Sequence, residues 1–268
     1  MVSTLSIGFM IFSGLLIFLF PLGLAVYMYK KERISLRAII TGGVVFVLVQ
    51  LLTRLPLLNA LATQPWFQGL MENLLFSAVV VGGLSAGLFE EIGRYLGFRF
   101  FLNNELSWEN GIAYGIGHGG IEAILLMGTT YINNAVLSLM INNGTFDRVI
   151  APELDSELAA AIKTQLIETS PFLFLIGGLD RVFVITIQIA LSLVVLYAVV
   201  KRKFSFVIYA ILLHALVNSI PVILIQQGFN SWAAEIYLFI LAAIALFFII
   251  RSRKLFTLAP VPEGEGED

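Results

Sequence analysis

The chain contains no cysteine, which excludes disulfides, thiol catalysis and cysteine-ligated metals. Charge is scarce too. Asp, Glu, Lys and Arg make up 13% of its 268 residues, against about 25% in a soluble domain. The net charge of −2 provides no electrostatic basis for nucleic acid as a partner. The first twenty residues, MVSTLSIGFMIFSGLLIFLF, lack a basic leader region and a small-residue cleavage site, so they are read as a retained membrane span. Internal repeats are not evident, and histidine occurs only twice.

What the sequence does have is apolar surface. Hydrophobic residues make up 59% of the chain, and mean hydropathy is +0.93. A soluble protein of this length would have to expose large apolar patches. The expected fold class is therefore all-α, a polytopic transmembrane helical bundle in the cell membrane, with lipid as its solvent. One transmembrane domain is expected over 1–259, followed by a disordered acidic tail, PVPEGEGED, at 260–268.

A bilayer-crossing helix needs about 20 mostly apolar residues. Seven runs qualify: 5–28, 37–58, 72–101, 111–140, 171–200, 205–226 and 232–250. The third and fourth are long, so tilt or a break at glycine is expected. GGLSAGL (82–88) and GIGHGG (115–120) allow helix backbones to approach closely. Basic residues cluster after span one (Lys30, Lys31, Arg33, Arg37), between spans five and six (Lys201, Arg202, Lys203) and after span seven (Arg251, Arg253, Lys254). Seven spans with the N-terminus outside and the C-terminus cytoplasmic place all three clusters inside, as the positive-inside rule requires. The long loop at 141–170 is then external. Its 153–168 stretch has Pro152 and Asp155 as helix start signals, and it is a connector, lid or docking surface.

Charges within spans are costly and functional by default. Span three holds Glu90, Glu91, Arg94 and Arg99; span four, His118 and Glu122; span five, Asp180 and Arg181; span six, His214 and Asn218. Glu90–Arg94, His118–Glu122 and His214–Asn218 are each i,i+4, and Glu91–Arg94 is i,i+3, so each group shares a helix face. Glu90, His118 and His214 sit at similar depth and are expected to converge. A carboxylate and an imidazole can then activate a water, and His and Asn donors can stabilise an oxyanion. An arginine can hold a neighbouring carboxylate ionised. His118, Glu122 and His214 also form an alternative His₂Glu set for Zn2+, although HExxH is absent.

EEIGR (90–94), GHGGIEA (117–123) and HALVN (214–218), in this order, resemble the YhfC family of intramembrane proteases. That family belongs to the clan of CAAX-processing and bacteriocin-processing membrane proteases, the Abi clan. The resemblance covers about 75–225. It implies that Glu90 activates water together with His118 and that His214 and Asn218 form the oxyanion site. It also implies that Arg94 orients the glutamates and Glu122 supports His118. In this reading the enzyme is of the glutamate type and needs no cofactor. The EExxR spacing is one residue shorter than EExxxR of the CAAX-processing branch, which leaves Glu90 and Glu91 both open as the base. LDRVFVITIQIALS (179–192) has Asp180 and Gln188 where relatives are expected to carry Glu and His.

Three functions compete at this level. The first is an intramembrane endopeptidase acting on a membrane-associated peptide or protein. The second is a proton- or ion-coupled transporter or channel. The third is a catalytically inactive scaffold or immunity protein, which the Gln188 departure would suit. The sequence assigns no oligomeric state.

Overall fold

In hydrocarbon, backbone amides have no water to bond, so an apolar run must satisfy them within a helix. The structure, a computed structural model, describes residues 1–257, and every regular element among them is helical. The tail expected at 260–268 lies outside the described residues. Seven helices are long and apolar enough to cross a membrane: α1 (Thr4–Glu32), α2 (Leu36–Ala62), α4 (Phe76–Phe101), α5 (Trp108–Asn142), α7 (Pro171–Val200), α8 (Ser205–Gln226) and α9 (Ser231–Phe256). Two short α-helices lie between them, α3 (Pro65–Met71) after α2 and α6 (Ser156–Glu168) after α5, and a π turn (Phe146–Ile150) and a 3-10 turn (Ala151–Glu153) lead into α6. The seven predicted runs are all present, with ends moved by a few residues.

The ends follow local chemistry. Ser3, Ser35 and Ser107 cap α1, α2 and α5, each accepting the backbone N–H three residues on. Asp155 caps α6 by accepting the Glu157 N–H at 2.8 Å, at the start signal read in the sequence.

The long helices do not break at glycine. They widen instead. Turns of π type occupy Val47–Arg54 in α2, Phe76–Leu84 and Gly97–Phe101 in α4, and Ala123–Gly128 in α5. In α4 the regular stretch Ser85–Leu96, which carries Glu90, Glu91 and Arg94, lies between two widened segments. Such turns recur at functional sites.

α7 is the central helix. Two-thirds (67%) of its most apolar stretch is buried, against 17–39% for the other six. It packs against α1, α5, α8 and α9, while α4 packs against α8 and α2 against α5. Glycine permits two close seams around the polar residues. A Cβ on Gly87 of α4 would lie 2.7 Å from the Ile211 carbonyl of α8. A Cβ on Gly117 of α5 would overlap the Ile39 carbonyl of α2.

Arg253 at the end of α9 pairs with Glu32 at the end of α1 (3.1 Å) and Glu109 at the start of α5 (3.0 Å). At the opposite end, Asn142 closes on the backbone of Val2, accepting its N–H at 2.7 Å and donating to its carbonyl at 2.8 Å. Helix alternation therefore gathers the three basic clusters at one end of the bundle.

Candidate active site

The widened turns, the Gly87 seam and the central α7 bring four helices together around Glu90. His118 Nε2 of α5 lies 3.0 Å from Glu90 Oε2, and His214 Nε2 of α8 lies 3.8 Å from the same oxygen. Both histidines thus reach one carboxylate, as the convergence argument expected. His214 turns its other nitrogen to Glu91, with Nδ1 2.7 Å from Glu91 Oε1. Glu91 Oε2 sits 3.1 Å from Arg94 Nε, an ion-pair contact not aligned for a hydrogen bond. An ionised Glu91 can only accept, so the proton on neutral His214 belongs at Nδ1, and Nε2 keeps its lone pair. Glu90, Glu91, Arg94, His118 and His214 are all buried, none more than 3% exposed.

A second line of contacts runs through α7. Arg94 Nη1 donates to the Gln188 carbonyl (2.7 Å) and to Ser192 Oγ (2.5 Å), and Nη2 donates to Gln188 Oε1 (2.6 Å). Gln188 Nε2 then donates to Glu122 Oε2 at 2.7 Å. Arg94 therefore orients Glu91 directly and reaches Glu122 through Gln188.

Three expected residues sit at the margin. Half-buried Asn218 donates to the Gly82 carbonyl at 3.4 Å, on the widened part of α4. Asp180 and Arg181 pair with each other at 2.5 Å on α7. Two intramembrane charges were missed by the sequence reading. Arg54 of α2 is 7% exposed and donates to Ser85 Oγ (2.9 Å), Gln50 Oε1 (3.2 Å) and the Val81 carbonyl (2.7 Å). Glu235 lies one turn into α9. A polar residue flanked by apolar ones at helical pitch was the available signal for both. The Tyr114 hydroxyl, one turn before His118, is buried without a hydrogen-bond partner, and its ring stacks over the imidazole at 6.2 Å.

The residues fit a divalent metal. One ligand atom from each of Glu90, His118 and Glu122 lies within 4.8 Å of the others. Tetrahedral zinc with bonds near 2.0–2.1 Å needs ligand atoms about 3.3 Å apart. Within this set, the Glu90–His118 contact at 3.0 Å is close to that spacing. Glu90 thus takes the place of His214 in the set proposed from sequence. His214 carries the carboxylate support typical of a histidine beside a metal, whereas His118 Nδ1 is buried without a partner.

Comparison with known proteins gives the family. Residues 16–238 match the sequence model of a family described as YhfC intramembrane metalloprotease. The chain is 38% identical over 259 residues to the uncharacterized membrane protein YhfC of Bacillus subtilis (strain 168), covering 96% of this chain and 100% of that one. No solved structure matches.

Proposed function

The chain belongs to the YhfC intramembrane metalloprotease family, and from that premise we propose that it is a metal-dependent endopeptidase cleaving membrane-associated peptides or proteins. The observation that carries this reading is the meeting of Glu90, His118 and Glu122, with His214 and its Glu91 support at the same carboxylate.

Glu90, His118 and Glu122 would hold the ion. Bound there, it would polarise the scissile carbonyl and ease deprotonation of water. The proton work falls to His214. With Nδ1–H on Glu91, its Nε2 takes a proton from the attacking water and returns it to the leaving amine nitrogen as the C–N bond breaks. Glu91 fixes the tautomer and stabilises the imidazolium, as the buried carboxylate does in a serine-protease triad. Arg94 keeps Glu91 ionised and in place. Asn218, on the same face of α8, supplies an amide donor toward the oxyanion once released from Gly82.

Glu90, Glu91, His118 and His214 are almost fully buried while Glu122 and Asn218 are half-buried, so a substrate reaches the inner groups when helices part. In the proposed orientation the basic end of the bundle is cytoplasmic.

A second reading is favoured by the direct 3.0 Å contact between Glu90 and His118. In it, Glu90 is the base with no metal, His118 holds the water, and Asn218 and His214, the latter as the imidazolium with Nε2–H, donate to the oxyanion. One experiment separates the two. The full chain in lipid nanodiscs is incubated with a panel of single-span peptides, with and without chelator and added Zn2+, beside Glu90→Gln and His118→Ala. The metal reading expects cleavage that the chelator abolishes, Zn2+ restores and both variants lack. Chelator-resistant cleavage lost in both variants would establish the metal-free reading. Cleavage by both variants would refute the site. The transporter and inactive-scaffold alternatives expect no cleavage of any peptide.

A further inference from the structure

Asp180 and Gln188 are where the 179–192 segment departs from the expected pattern, and the structure gives the glutamine a specific position. It is 3% exposed on the central helix, and both ends of its amide are engaged. Arg94 has only donors, so the amide oxygen must face it. The amide nitrogen must then face Glu122, and it does, at 2.7 Å from Oε2. The polarity is forced, because a reversed amide would set donor against donor at Arg94. Glu122 is thereby held through one oxygen, and its carboxylate still offers a ligand atom within 4.8 Å of those of Glu90 and His118.

Arg94 does not depend on this amide. It also donates to the Gln188 backbone carbonyl and to Ser192 Oγ, neither of which involves Glu122. Glu122 does depend on it, since the carboxylate is half-buried on a helix that widens from the next residue, Ala123.

We propose that Gln188 is a positioning residue that fixes Glu122 as a ligand and thereby sets the divalent-metal affinity of the site. This rests on the metal reading above. Support of this kind around a ligand contributes about 10–100-fold in metal affinity.

The test is Zn2+ affinity of the purified full chain in nanodiscs, by competition with a chelating dye, with thermal unfolding followed in parallel. Gln188→Met removes the amide but leaves Arg94 its two other acceptors, and it is expected to weaken Zn2+ binding about 10–100-fold at unchanged stoichiometry. Gln188→Asn keeps an amide one methylene too short to span both partners and is expected to act in the same direction, which covers a methionine variant that does not fold. Ser192→Ala removes one acceptor of Arg94 and a hydrogen bond to the Gln188 backbone carbonyl but leaves the Gln188 amide on Glu122, and it is expected to stay within about threefold of wild type. A folded Gln188→Met or Gln188→Asn protein with wild-type affinity would overturn the proposal while leaving the metal reading intact. Equal weakening by Ser192→Ala would overturn it as well, by assigning the effect to Arg94. A wild-type chain that binds no Zn2+ would end both.

Discussion

Substituting Gly87 with alanine tests the seam that brings His214 to the glutamates. The added Cβ would lie 2.7 Å from the Ile211 carbonyl oxygen and 3.3 Å from His214 Cβ, where ordinary contact begins near 3.4 Å. Both opposing atoms are stiff, one in the backbone and one at a side-chain root. The α4–α8 seam must therefore open by about 0.7 Å to restore normal contact. His214 Nδ1 is 2.7 Å from Glu91 Oε1, so such an opening carries the pair to the limit of a hydrogen bond. A hydrogen bond to a charged group is worth about 1.5–3 kcal/mol, which corresponds to about 10–100-fold in cleavage rate. Overpacking adds about 1–3 kcal/mol of destabilisation. The assay is single-turnover peptide cleavage in nanodiscs beside thermal unfolding, with Gly8→Ala as control. Gly8 has nothing within 4 Å of its Cβ position, so its alanine is expected to be neutral or slightly stabilising. A Gly87→Ala protein that cleaves within about twofold of wild type and unfolds at the same temperature would refute the reasoning.

Glu90 and Glu91 are expected to separate by readout: Glu90→Gln loses bound metal, while Glu91→Gln keeps it and loses about 10²–10⁴-fold in turnover because His214 loses its orienting partner. Metal content and kcat, measured together, check this. Arg54→Met touches none of Glu90, His118 or Glu122 by hydrogen bond, so metal content is expected to hold while stability falls by about 1–3 kcal/mol, from Gln50 left without its donor and Val81 left with the Ser85 hydroxyl. Gly117→Ala is expected to destabilise the α2–α5 packing by about 1–3 kcal/mol, whereas Gly43→Ala, with its nearest contact at 3.5 Å, is tolerated; thermal unfolding of the pair decides.

The helices were legible in the sequence because lipid makes length and hydropathy nearly sufficient. The site was legible in part. Helical spacing identified the faces of α4, α5 and α8 that meet, and both histidines lie on them. Spacing did not identify the partners. The pairs expected within helices were Glu90–Arg94 or Glu91–Arg94, His118–Glu122 and His214–Asn218. The bonds that form run between helices, Glu90 to His118, Glu91 to His214 and Gln188 to Glu122, and only Glu91–Arg94 stays within one. A polar side chain buried in a bundle bonds whatever the packing presents, and packing here is set by glycines whose effect depends on the facing helix. Arg54 escaped notice because its partners are neutral and lie mostly on α4, which span-by-span reading does not connect.

The central claim is that Glu90, His118 and Glu122 hold a divalent metal. The most direct measurement is metal per chain, by mass spectrometry, on the wild type and on His118→Ala and Glu122→Gln, all purified in lipid and reconstituted with Zn2+. The account predicts about one ion per folded wild-type chain and less than about 0.1 in either variant. Equal metal in all three proteins, or none in the wild type, would contradict it.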